Sequence, residues 1–195
     1  MSRLQKLMLA TLAIGALAVP ALGNTVMAAA PSVPPSTRTV IVVPPPRLVR
    51  DELMNPEIPA QERAMLQQPT EVVTGSYETM GPNGDPIAHA YVEWVEIGIT
   101  MWQWNVWQGF SDNGTYITSF PPPTYSVNIY YPGWVLDNES YSYTGRTGVT
   151  QGTSDNTAVF QFYGVGIPLM TVDAYINFTL YGTGHWINSA GAYLS

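Results

Sequence analysis

The chain has no cysteine, two histidines (His89 and His185) and a single lysine, Lys6, and only 11% of its 195 residues are charged. The missing thiols exclude disulfides, thiolate metal centres and cysteine nucleophiles together. The two histidines stand in unlike contexts and form no His-Glu-x-x-His pair, so no imidazole metal set is present, and no metal or cofactor is expected. Seven basic residues face 14 acidic ones, a formal charge of −7. Phosphate binding depends on clustered Lys and Arg, so nucleic acid is excluded as a partner. There is no Gly-x-Ser-x-Gly elbow, and the glycine pairs at 145/148 and 164/166 lack the basic partner of a phosphate loop.

What is present begins with a leader. Residues 1–30 read as a secretory signal: Arg3 and Lys6, then the apolar run Leu7–Val19, then Pro20 and the small residues up to Ala30. That apolar run is shorter than the roughly 20 residues a spanning helix needs. The expected mature protein is therefore secreted, extracellular or wall-associated, with no membrane span after cleavage. Its charge becomes more negative, because the leader removes two of the seven cations. Without disulfides, an exported chain must rest on its apolar core or on bound ions.

Residues 31–69 read as a Pro-rich spacer. Pro31, Pro34, Pro35 and Pro44–Pro46 favour extended backbone, and the β-prone insert Thr39–Val43 is fit to dock as an edge strand. A short helix is expected over 59–68, with Pro59 in its first turn and Pro69 ending it.

From residue 70 the composition changes. The six Trp, twelve Tyr and five Phe all lie between Tyr77 and Tyr193. Short β-prone runs alternate with turn signals, which predicts an all-β domain over 70–195, an antiparallel β-sandwich of seven or eight strands. Thr171–Tyr181 alternates strictly, with Val172, Ala174, Ile176, Phe178 and Leu180 on one face. Thr124–Tyr131 repeats the device, and Ala158, Phe160 and Phe162 mark a third strand. Asp112-Asn113-Gly114 reads as a hairpin turn. Residues 90–107 change phase and require a bulge or bend near Gly98 or Met101.

Three chemistries compete for this framework. The Asp/Asn turns at 112–114, 137–139 and 155–156 contain oxygen ligands of the kind calcium accepts, but Asx side chains in turns more often bond their own backbone. Glu93 and Glu96 stand near the Trp cluster, yet a hydrolase needs both carboxylates across one bond, and residues three apart on a strand point to opposite faces. The expectation is therefore a protein that is not an enzyme. The aromatics carry the third option. Period two sets Trp107 opposite Trp102 and Trp104, Trp134 follows Pro132-Gly133 in what reads as an exposed loop, and Tyr175 and Tyr181 line the polar face of the cleanest strand. Exposed rings beside Asn, Gln and Asp suit an extracellular polysaccharide or cell-wall surface, and Trp107, Trp134, Tyr175 and Tyr181 are the candidate ligand-binding residues. A third class, a self-assembling surface component, would associate through strand edges.

The C-terminal third resembles small secreted actinobacterial β-rich proteins of unassigned activity. The likeness rests on Thr157-Ala158-Val159-Phe160, the strand Val172–Leu180 and Gly182-Thr183-Gly184-His185-Trp186. It implies export and a β fold and brings no catalytic residue. Those relatives often carry a cysteine pair between the two strands, which Gly164–Met170 lacks.

Overall fold

The computed structural model describes residues 37–43, 58–60, 63–64, 67–145, 147–164 and 167–195. The leader over 1–30 lies outside the described residues. Of the helix expected over 59–68, the described part shows one turn, in which Arg63 N–H donates to the Pro59 carbonyl at 3.0 Å.

Among the described residues the alternating runs become eleven strands: β1 (Thr37–Val43), β2 (Thr70–Met80), β3 (Pro86–Glu96), β4 (Ile99–Gly109), β5 (Ser111–Asp112), β6 (Ile117–Ser119), β7 (Thr124–Ile129), β8 (Trp134–Thr144), β9 (Gln151–Gly164), β10 (Ile167–Tyr181) and β11 (Trp186–Leu194). They form two antiparallel sheets, ordered β1-β2-β3-β4-β7 and β11-β10-β9-β8, with β5 and β6 as a separate ribbon. The fold is all-β. The expected edge strand is present: all seven residues of β1 pair with β2, from Thr37 opposite Ser76 to Val43 opposite Thr70.

The two sheets bury a common core. From β10 come Val172, Ala174, Ile176, Phe178 and Leu180, the face read from strict alternation. From β3 and β4 come Ala88, Ala90, Val92, Trp94, Trp102, Trp104 and Val106. At the centre, Trp102 of one sheet stacks on Phe160 of the other, with ring centroids 3.8 Å apart and planes within 6°. Trp134 closes the cluster, 6.3 Å from Trp94 and 5.4 Å from Phe162.

Two register shifts set the facing of the aromatics. Between β3 and β4, Trp94 pairs with Trp102 but Val95 pairs with Thr100, so Met101 is an extra residue on β4. Met101 and Trp102 are consequently both buried although adjacent in sequence, which resolves the phase change. In β8, Leu136 pairs with Phe160 and Asn138 with Val159, which makes Asp137 the extra residue. Downstream of it, Glu139, Tyr141 and Tyr143 lie on the inner face, opposite Ala158, Asn156 and Ser154.

The expected hairpin turn at Asp112-Asn113-Gly114 is present and joins β5 to β6 through a four-residue loop. Asn113 Oδ1 accepts from the N–H groups of Thr115 and Tyr116 at 3.2 and 2.9 Å, and within the loop only Gly114 has positive φ. A two-residue hairpin occurs at Ile97-Gly98, with φ of 46° and 75°. A β-branched residue with positive φ costs about 1–2 kcal/mol, and this turn type favours Asn at that position. Because Ile97 is exposed, no packing is lost on replacing it. Ile97→Asn is expected to raise stability by about 1 kcal/mol, read as an increase in the midpoint of thermal or urea unfolding.

Candidate functional site

The outer face of the five-stranded sheet is built from the odd residues of β3 and β4 and their partners. Register places Tyr77, His89, Trp107 and Thr124 in one row across four strands. The next row holds Gly75, Tyr91, Asn105 and Ser126, and the one after it Val73, Glu93, Gln103 and Asn128. Tyr91 lies across Gly75, where a Cβ would meet its phenol ring, so glycine leaves room for the tyrosine to lie flat on the sheet.

His89 organises the first row. Its ring lies 4.1 Å from Tyr77 and 4.7 Å from Trp107, centroid to centroid, and it is only 2% exposed although it sits on the outer face. Asn105 Nδ2 donates to Ser126 Oγ at 3.4 Å, so Asn105 Oδ1 is an acceptor, and His89 Nε2–H donates to it at 3.2 Å. That assignment leaves His89 Nδ1 as a buried nitrogen without a hydrogen-bond partner. Burial pulls the imidazole pKa down to about 4 against the supporting bond from Asn105, so the ring is neutral at neutral pH. It acts as a flat spacer holding the two aromatic rings upright.

The third row supplies polarity. Gln103 Nε2 donates to Glu93 Oε1 at 2.9 Å, and Gln103 Oε1 accepts from Asn128 Nδ2 and Tyr130 Oη, each at 3.4 Å. A carboxylate, two amides and a phenol thus stand in a pre-arranged line two rows along the sheet from half-buried Trp107, with Tyr130 exposed at its end. From Trp107 to Gln103 is four residues of strand, about 14 Å.

The four sequence-predicted residues do not form one site. Trp107 faces outward as the phase of β4 requires. Trp134 does not: it is 3% exposed and packs among Trp94, Trp102 and Phe162. The Pro132-Gly133 turn, with Gly133 at φ 96°, swings the chain straight into β8, so the first residue of that strand points into the core. Trp134 is therefore unavailable to a surface ligand. Tyr175 and Tyr181 are half-buried on the outer face of the other sheet, Tyr175 across Gly191 and Tyr181 against the His185 ring at 5.8 Å. That is the side of the sandwich opposite Trp107.

Glu93 and Glu96 are also separated. Glu93 belongs to the outer row, whereas Glu96 is 2% exposed and accepts Trp94 Nε1–H at 2.7 Å on the inner side. The pair cannot flank one scissile bond. Burial pushes the Glu96 carboxyl up, partly offset by the Trp94 bond. Of the three expected Asx turns only 112–114 is one, where Asp112 Oδ1 accepts from Gly114 N–H at 2.9 Å; 137–139 lie at the bulge within β8, where Asn138 Oδ1 accepts from Glu139 N–H at 2.9 Å, and 155–156 lie within β9. These oxygens serve the backbone, and no group of three or more His, Asp or Glu that could hold a metal occurs among the described residues.

A second constellation was not visible in the sequence. At the seam between β7 and β8, Trp104 Nε1 donates to Glu139 Oε1 at 3.0 Å, and Tyr125 Oη donates to buried Asn156 Oδ1 at 3.2 Å. Rings follow one another along this seam: Trp104 to Tyr125 at 6.2 Å, Tyr125 to Tyr141 at 6.1 Å, and Tyr141 to Tyr143 at 5.8 Å. The signal was hidden because Glu-Ser-Tyr-Ser-Tyr has polar residues on both faces, and the bulge at Asp137 decides which face turns in.

No family model matches this sequence, and no characterised protein or solved structure shows significant similarity to it.

The buried histidine has a measurable consequence. Its folded-state pKa lies below the unfolded value of 6.5, so the unfolded chain binds more protons between pH 6.5 and about 4. His89 therefore costs the fold stability as pH falls through that window, on the order of 2 kcal/mol in all. Glu96 works in the opposite sense, since its raised pKa favours the fold at low pH and that contribution is lost as pH rises above 4.5. Urea unfolding at pH 7 and pH 4.5 is expected to show a smaller loss in His89→Gln than in the wild type.

Proposed function

We propose that the protein is a secreted, non-catalytic binding module that holds an extracellular polysaccharide against the outer face of its five-stranded sheet. The observation that supports this most directly is Trp107, half-buried and propped by His89 against Tyr77, with the Glu93–Gln103–Asn128–Tyr130 line two rows along the sheet. An indole face takes the apolar side of a sugar ring, while fixed amides, a carboxylate and a phenol take its hydroxyls. Because these groups are already bonded to one another, little side-chain entropy is lost on binding. The distance of about 14 Å between Trp107 and Gln103 calls for a chain of several sugar residues rather than a monosaccharide. The acidic surface favours neutral or cationic polymers over polyanions.

Calorimetric titration with a panel of wall and plant oligosaccharides tests this. At least one should bind with affinity that grows with chain length, and Trp107→Ala should weaken it at least tenfold, about 1.4 kcal/mol. Trp134→Phe, in the core, should leave the affinity unchanged. Absence of binding to any member of the panel would sink the reading.

A second reading is favoured by β1. It is an edge strand, and Val40, Ile41 and Val42 are 45–63% exposed along it. Such an edge is a template for another strand, so self-association would make the protein a component of an assembled surface layer. Light scattering across a concentration series should then show growth that Ile41→Lys suppresses; a monomer throughout disposes of it.

A further inference from the structure

We propose that the seam between β7 and β8 is a binding site for an alkylammonium group, with Glu139 as its counter-charge, held by the buried Trp104 indole, and the rings of Tyr125 and Tyr141 as its walls. The site is separate from the outer face that carries Trp107, and its existence does not depend on that face binding sugar.

The first observation is a carboxylate that meets no cation among the described residues. Glu139 is half-buried, and its one side-chain hydrogen bond is the Trp104 indole N–H at 3.0 Å. The described residues hold only Arg38 and Arg63 as fixed cations, and Arg38 lies opposite Gly75 at the far edge of the five-stranded sheet. Among the described residues, nothing positive pairs with Glu139. A partly desolvated charge left in this way attracts an outside partner more strongly than one in bulk water.

The second observation is the nature of the walls. Two rings that are not sealed stand on neighbouring strands here, Tyr125 of β7 against Tyr141 of β8, with Tyr141 two residues from Glu139 on the same inner face; fully buried Trp104 stacks behind Tyr125 and fixes the carboxylate. Tyr141 is 44% exposed, so the cluster opens to solvent. The negative faces of aromatic rings attract a diffuse cation, and a carboxylate within the same group of rings completes the recognition. The Glu139 field reaches these rings, since Tyr125 is pushed up first by burial and next by the Glu139 charge.

The same geometry argues against other ligands. A hard divalent ion asks for several oxygen donors, whereas one carboxylate stands here. Glu96 also accepts from a tryptophan, but it is sealed at 2% exposure. At Glu139 the half-buried carboxylate stands with two tyrosine rings that are not sealed, whereas half-buried Glu78 meets the indole of Trp186. The shared chemistry is an ammonium on a carbon skeleton, carried either by a choline-type head group or by an amino sugar.

Tryptophan fluorescence of the full-length Trp107→Ala protein, in which the stacking ring of the outer face is removed, titrated with choline chloride, with a glucosamine oligosaccharide and with its N-acetylated form, tests the proposal against sodium chloride at equal ionic strength. Saturable change with choline or the free amino sugar, and none with the N-acetylated form, is expected. Glu139→Gln keeps an oxygen acceptor for Trp104 and should weaken binding about tenfold. Tyr141→Leu should weaken it several-fold, and the choline response should be the same in the unmodified protein as in Trp107→Ala. Response to both ammonium probes identifies the group itself as the determinant; response to the amino sugar alone assigns the source as a saccharide. Equal response to the N-acetylated sugar, no saturation with any probe, or undiminished binding in a folded Glu139→Gln protein overturns it.

Discussion

The stack of Trp102 on Phe160 is the contact on which the rest of the structure depends. It joins the two sheets at van der Waals distance and is surrounded by Trp94, Trp134 and Phe162. A chain without disulfides has no covalent device to hold two sheets together, and large apolar rings supply the burial instead. The arrangement has a cost. The indole nitrogens of Trp102 and Trp134 are buried without a hydrogen-bond partner, about 1–3 kcal/mol each. That the fold retains them shows how much the close ring packing contributes.

The other core-facing tryptophans are satisfied in a way that gives the acidic composition a structural meaning. Trp94 donates to Glu96, Trp104 to Glu139 and Trp186 to Glu78, at 2.7, 3.0 and 2.7 Å. With arginine scarce and Lys6 the one lysine, these glutamates accept from indole N–H groups. Charge-assisted bonds of this kind are stronger than neutral ones, and they tie strand ends and seams where backbone pairing stops. Glu96 is sealed, whereas Glu78 and Glu139 are half-buried, and at Glu139 the rings beside the carboxylate are tyrosines.

The alternation of β10 and the inward Phe160 and Phe162 of β9 were legible in the sequence because each face is chemically pure over many residues. The edge strand β1 was legible from its β-branched run between prolines, and the outward facing of Trp107 from its phase against Trp102 and Trp104. Trp134 was misread because Pro-Gly before it signals a loop, whereas the turn is short enough to deliver it directly into a strand. His89 gave no signal as a buried residue, since its burial comes from Tyr77 and Trp107 on neighbouring strands. The Glu139 cluster was hidden by a bulge at Asp137, which nothing in a run of polar residues announces.

The two bulges bind core and surface into one problem of register. Met101 is the extra residue that lets Trp102 and Trp104 face inward while Glu93 and Gln103 stay paired outside. A strand has a period of two, so a shift of one residue moves every side chain beyond it to the opposite face. Beyond Met101 such a slip would expel Trp102 from its stack on Phe160 and drive Trp107, Asn105 and Gln103 into the core. The outer aromatic face and the inner stack are thus alternate sides of the same eleven-residue strand. Pressure to keep Trp102 inside is at the same time pressure to keep Trp107 outside, which is why a ring that contributes little to the core is held in a fixed position facing solvent.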